Sequence, residues 1–133
     1  MRPRLSLTSV LAIAAAAALV ASCQTKTPPP SSQDRSALST MERVAVAANT
    51  CWFKSGDATF AAYRLAPELN SFSGRPRILV VHKGSPESRP LLVVQAEGSP
   101  SKLDAFGPMM DSPARARIAQ DVTHWAGGNK SCS

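Results

Sequence analysis

The chain has 133 residues and carries 15 basic against 9 acidic side chains, a net charge of +6. That length holds one small domain and excludes a multidomain enzyme. The basic excess is mild, so charge alone selects no partner.

The first residues have three consecutive parts. Arg2 and Arg4 lead, residues 10–21 form an apolar run of 12, and small residues stand immediately before Cys23. This is the pattern of an export signal. Twelve apolar residues fall short of the roughly 20 that a helix needs to cross the hydrocarbon core, so the segment is expected to be removed rather than kept as a span. The tetrad Val20-Ala21-Ser22-Cys23 resembles the lipobox of bacterial lipoproteins, with an aliphatic residue, two small residues and a cysteine. The resemblance covers only the first 23 residues. It implies cleavage before Cys23, a diacylglycerol on the Cys23 thiol and acylation of the freed amine, so that a covalent lipid on Cys23 is the one attached group. One acyl chain holds a protein marginally and two or more hold it stably, so three would fix this chain to a membrane. Simple secretion is the alternative, but a signal without lipid has no need of a cysteine at the first mature position.

The same resemblance sets the address and the charge. In enteric bacteria an aspartate after the lipidated cysteine retains the protein in the inner membrane, so Gln24 points to the outer membrane, facing the periplasm. Loss of residues 1–22 leaves 111 residues with 13 basic and 9 acidic side chains, a balance of +4. The anions of the envelope are lipid headgroups, lipopolysaccharide phosphates and peptidoglycan carboxylates; nucleic acid is not expected as a partner. With Cys23 lipidated, Cys51 and Cys132 remain as one pair. A disulfide between them closes a loop of 81 residues, which the chain-entropy model values at about 4.5 kcal/mol. A metal or redox site is the competing reading, but there is no Cys-x-x-Cys and only His82 and His124 could assist.

After the cysteine the composition turns to Thr, Pro, Ser, Gln and Lys around Pro28-Pro29-Pro30. Residues 24–35 read as an extended spacer, about 12 residues at roughly 3.1 Å each, or ~37 Å. The predicted division is a signal at 1–22, a lipidated tether at 23–37 and a folded domain at 38–133. Ser39-Thr40-Met41-Glu42 has the form of a capping box, and Met41, Val44, Ala45, Ala48 and Trp52 recur at helical spacing toward Cys51. Ser55-Gly56-Asp57 breaks that helix. Ala61, Tyr63, Leu65 and Leu69 alternate with polar or small residues as in a half-buried strand, in which Pro67 marks an edge or a bulge.

Ser73-Gly74 turns the chain, and two continuous apolar runs follow, Ile78-Leu79-Val80-Val81 and Leu91-Leu92-Val93-Val94. Such runs predict strands covered on both faces, although two short helices are few for that task. Residues 102–107 fit a fourth strand or a short helix. Gly84-Ser85-Pro86-Glu87 and Gly98-Ser99-Pro100-Ser101 are turns. In the last element Ser112 caps, Pro113 suits the first turn, and Ile118, Val122, Trp125 and Ala126 form the apolar stripe before Gly127-Gly128. The order gives an α+β class: an N-terminal helix, an antiparallel meander of three or four strands, a C-terminal helix and one disulfide.

Chemistry is faint. Ser99-Pro100-Ser101-Lys102 matches the Ser-x-x-Lys pattern of penicillin-recognising enzymes, but its serine lies in a turn and the companion Lys-Thr-Gly is missing. Glu68, Glu97 and Asp104 could supply paired carboxylates for cutting a glycan. Arg64, Arg75, Arg77, Lys83 and Arg89 fall around the first hairpins and could contact an anionic surface; a solvated rim is the simpler explanation, because alternating strands place long charged side chains outward anyway. Trp52 and Trp125 are expected in the core near the ends of the disulfide. The expected function is a non-catalytic envelope lipoprotein whose domain binds another envelope protein or itself. The alternatives are a periplasmic inhibitor, a small cell-wall-acting enzyme, or a structural contact to peptidoglycan or lipopolysaccharide.

Overall fold

A computed structural model describes residues 33–133. The expected signal, lipobox and most of the tether lie outside those residues. The chain forms helix α1 (Ala37–Ala48), strands β1 (Tyr63–Glu68), β2 (Arg77–His82), β3 (Leu92–Glu97) and β4 (Lys102–Phe106), and helix α2 (Arg115–Ala126). The four strands make one antiparallel sheet in the order β1-β2-β3-β4, so the α+β meander read from the sequence is the fold. Residues 102–106 resolve as a strand, and Pro67 sits on edge strand β1, where its missing amide hydrogen costs no ladder bond.

The first helix starts earlier than its capping box suggests. Ser36, not Ser39, is the cap: its backbone is extended and its side chain accepts from the Ser39 amide at 3.3 Å. The choice is tertiary. The Ala37 amide donates to Gly98 O and the Ser101 amide to Arg35 O, both at 2.9 Å, so the chain is pinned to the β3–β4 turn before the helix begins. A 3-10 turn at Gln33–Arg35 therefore belongs to the domain, within the stretch that composition assigns to the tether. Beyond Ala48 the helix continues as a π-helical turn, Asn49–Phe53, which carries Cys51 and Trp52 into the interior. Helix α2 starts later than expected. Ser112 donates to Met109 O at 2.7 Å and accepts from the Ala114 amide at 3.2 Å, so it closes the 3-10 turn Pro108–Asp111 rather than capping α2.

Helix α1 packs on one face of the sheet, against β3 and β2, and α2 packs against α1 on that same side. Met41, Val44 and Ala48 of α1 and Ile118, Val122 and Trp125 of α2 share a core with Ile78, Val80, Leu92, Val94 and Ala96. These strand residues alternate along the chain, as the pleat requires. Val81 and Val93 lie on the opposite face, outside that core, yet are only 2% and 8% exposed. The continuous apolar runs therefore do not signify helices on both sides of the sheet. Gly107 makes the exit from β4 possible. Its φ is +118°, and a Cβ there would meet Leu91 O at 2.7 Å, so only glycine allows the Met109 amide to reach Leu91 O at 2.9 Å.

Cys51 and Cys132 form a disulfide, which links the end of the first helical segment to the chain beyond α2. Trp52 and Trp125 are buried beside it, 1% and 0% exposed, with ring centroids 5.0 Å apart. Replacing both cysteines by serine should lower the unfolding free energy by about 2–5 kcal/mol, read from the midpoint of urea titrations of oxidised wild type and the double variant. Coincident titrations would show that packing alone holds the two ends together.

Candidate functional site

Two places concentrate polar side chains. The first is interior. Asp121 lies on the apolar stripe of α2 between Ile118, Val122 and Trp125 and is 1% exposed. Its Oδ2 accepts from Trp52 Nε1 at 2.8 Å, its Oδ1 accepts from the Ser133 hydroxyl, and Arg117 Nε stands 3.5 Å from Oδ2. Arg117 reaches in the other direction to Asp57, with Nη2 2.5 Å from Oδ2. The segment after α2 closes over this knot, since Trp125 Nε1 donates to Ser131 O at 3.0 Å and His124 Nε2 is 2.9 Å from the Ser131 hydroxyl. Phe60 stacks on Trp52 at 4.6 Å. Every polar group named here is satisfied within the domain, which is the pattern of a structural lock rather than of a site waiting for substrate.

The hydrogen bond from Arg117 holds the Asp57 carboxyl below the usual aspartate range; burial opposes this, and the Thr59 amide at 2.9 Å adds to it. The same bond keeps the Arg117 guanidinium above its ordinary value, against its own desolvation.

The second place is the sheet face opposite the helices. The strand registers set its side chains in rows. Ala66, Leu79, Val93 and Phe106 cross all four strands, and Glu68, Arg77, Gln95 and Asp104 form the row beside them. Phe106 is 45% exposed. The charged side chains flank the apolar row: Arg77 Nη2 lies 2.6 Å from Glu68 Oε2, and Arg75 Nε 2.7 Å from Glu97 Oε2. Both pairs are more than a third exposed, so they orient side chains more than they stabilise the fold.

The structure divides the five basic residues singled out from the sequence. Arg75 and Arg77 stand at one end of β2 and are paired with carboxylates. Lys83 follows the other end, roughly 20 Å away along a strand of six residues. Its Nζ donates to Ala61 O at 2.8 Å, while Arg64 and Arg89 are exposed. Among the described residues no ion pair reaches Arg64, Lys83 or Arg89. The three carboxylates considered for glycan cleavage all fall on the open face. Glu97 and Asp104 meet in a shallow cleft of about 170 Å³ that also contains Arg75, Gln95 and Lys102, smaller than the roughly 300 Å³ of a usual ligand pocket. Ser99 lies in the β3–β4 turn and Lys102 opens β4, so the Ser-x-x-Lys match has no helix behind it. His82 packs against Tyr63 with ring centroids 5.1 Å apart.

Asp121, Arg117 and Asp57 were not selected from the sequence, although a carboxylate at the helical spacing of Ile118, Val122 and Trp125 was a readable signal. No protein-family model matches this chain, and comparison with curated proteins and with solved structures gives no match.

Because the folded state lowers the Asp57 pKa, its contribution to stability is complete above the unfolded value of about 3.9 and is lost as the pH falls through the depressed folded value. Asp57→Asn should therefore be less stable than wild type near neutral pH, with the difference narrowing below about pH 4. Urea titrations across that range read this directly, and a difference independent of pH would contradict it.

Proposed function

We propose that this chain is a lipid-anchored cell-envelope protein, non-catalytic, whose domain binds another envelope protein or a second copy of itself through the open face of its sheet. The observation that carries the reading is the apolar row Ala66, Leu79, Val93 and Phe106, which neither helix covers. An apolar centre inside a charged rim is the usual anatomy of a protein contact. The Glu68–Arg77 and Arg75–Glu97 pairs supply that rim along one side of the row, and Arg64 stands on the other. The lipobox residues Val20-Ala21-Ser22-Cys23 support the anchor and, with Gln24, the outer membrane. The Cys51–Cys132 disulfide suits an oxidising compartment.

Cross-linking in cells followed by mass spectrometry tests both halves. Wild type should trap a defined partner or its own dimer, and Cys23→Ser should lose the membrane-associated product. Phe106→Asp places a charge at the β4 end of the row without touching the core. It should weaken the contact by on the order of 2 kcal/mol, or about 30-fold, in a titration with the trapped partner. A cross-linked product indifferent to Phe106→Asp would move the contact elsewhere on the surface.

A further inference from the structure

The end of the domain where the chain enters also carries its most exposed apolar side chain. The β1–β2 and β3–β4 turns lie at the same end of the antiparallel sheet, and the Ala96 amide ties them by donating to Pro76 O at 3.1 Å. The chain arrives there too, through the Ser101–Arg35 and Ala37–Gly98 backbone bonds. Within the β1–β2 turn, Phe72 is fully exposed between Ser71 and Ser73. The turn itself is built, with the Ser71 hydroxyl donating to Arg75 O at 2.6 Å and the Gly74 amide to Ser71 O at 3.0 Å. A large apolar ring on a braced turn has lost no contact with the core; it is presented outward.

We propose that this turn rests on the bilayer holding the Cys23 lipid, with the Phe72 ring in the headgroup region. The proposal deepens the lipoprotein reading and rests on it. Nine residues lie between Cys23 and Gln33, so ten steps of at most roughly 3.1 Å keep this end within ~31 Å of the membrane. A ring that would bind a bilayer only weakly by itself is held close by the tether, which supplies the effective concentration. Exposed aromatic rings held at a bilayer surface settle at the membrane interface. The exposed charges at this end balance, Arg35, Arg75 and Lys102 against Asp34, Glu97 and Asp104, so the ring rather than net charge makes the contact. Helix α1 leads away from the same end, which sets Val46, an exposed residue of that helix, about 14 Å further along the axis.

The experiment uses the full chain, purified with its lipid and reconstituted into vesicles of phosphatidylcholine with brominated acyl chains. A tryptophan at position 72 or 46 adds emission above that of the buried Trp52 and Trp125. The added emission of Phe72→Trp should fall by at least half relative to vesicles without bromine, and that of Val46→Trp should be unchanged. Unquenched Phe72→Trp, or equal quenching of both variants, overturns the inference while leaving the anchor standing. The mass of the peptide that begins at Cys23 is read on the same sample. An unmodified cysteine there overturns the anchor and this inference together.

Discussion

The fold depends on bringing together two helices that the whole sheet separates in sequence, and the contact that fixes them is the 2.8 Å bond from Trp52 Nε1 to Asp121. A buried carboxyl group is costly to leave without donors. Here Trp52, Ser133 and Arg117 surround it, and each comes with its own segment: the π-helical turn after α1, the chain beyond α2, and α2 itself. The disulfide one residue from Trp52 joins the first and second of these covalently. Arg117 extends the knot to Asp57 and hence to the short turn that carries Phe60 under the Trp52 ring. Apolar packing alone would tolerate several registers of α2 on α1; a directed bond to one carboxyl group selects one.

With both helices committed to one side, the other side of the sheet is left to side chains alone. Its central strands are nevertheless apolar there. Val81 and Val93 are nearly inaccessible without any helix above them, since close cross-strand neighbours shield β-branched residues within a sheet. Leu79 and Phe106 complete the row. Polar side chains would have served a merely solvated face, so the retention of an apolar row is what gives this surface its functional interest.

The architecture was legible in the sequence because its signals are local. Alternation around Tyr63 and Leu65, the two apolar runs, and the turns at Gly84 and Gly98 each mark an element without reference to the rest of the chain. Pro67 marked its strand as an edge or a bulged one, and β1 is the edge. What was not legible depends on contacts between distant residues. Ser39 with Glu42 has the better local capping pattern, but Ser36 is chosen because Gly98 and Ser101 hold the chain beside it. Ser112 likewise looks like a helix cap and instead binds Met109 O of the preceding turn. The apolar runs could not reveal that one face would stay without a helix, since burial by a helix and burial by neighbouring strands select the same residues. Asp121 was visible as a carboxylate on an apolar stripe; that Trp52 would meet it was not.

The disulfide also governs the order in which the chain can complete itself. Cys51 emerges during synthesis 81 residues before its partner, and α1 has its interior neighbours in the sheet and in α2, all of which follow it. Until those segments have been made, α1 is an amphipathic helix without a surface to cover, and a lone helix of 12 residues is marginal in water. Closure is thus a late event, set by contacts distant in sequence. Any machinery that threads this polypeptide through a narrow passage receives it pliable, and the same placement of cysteines that makes the finished domain hard to open keeps the growing chain from closing too soon.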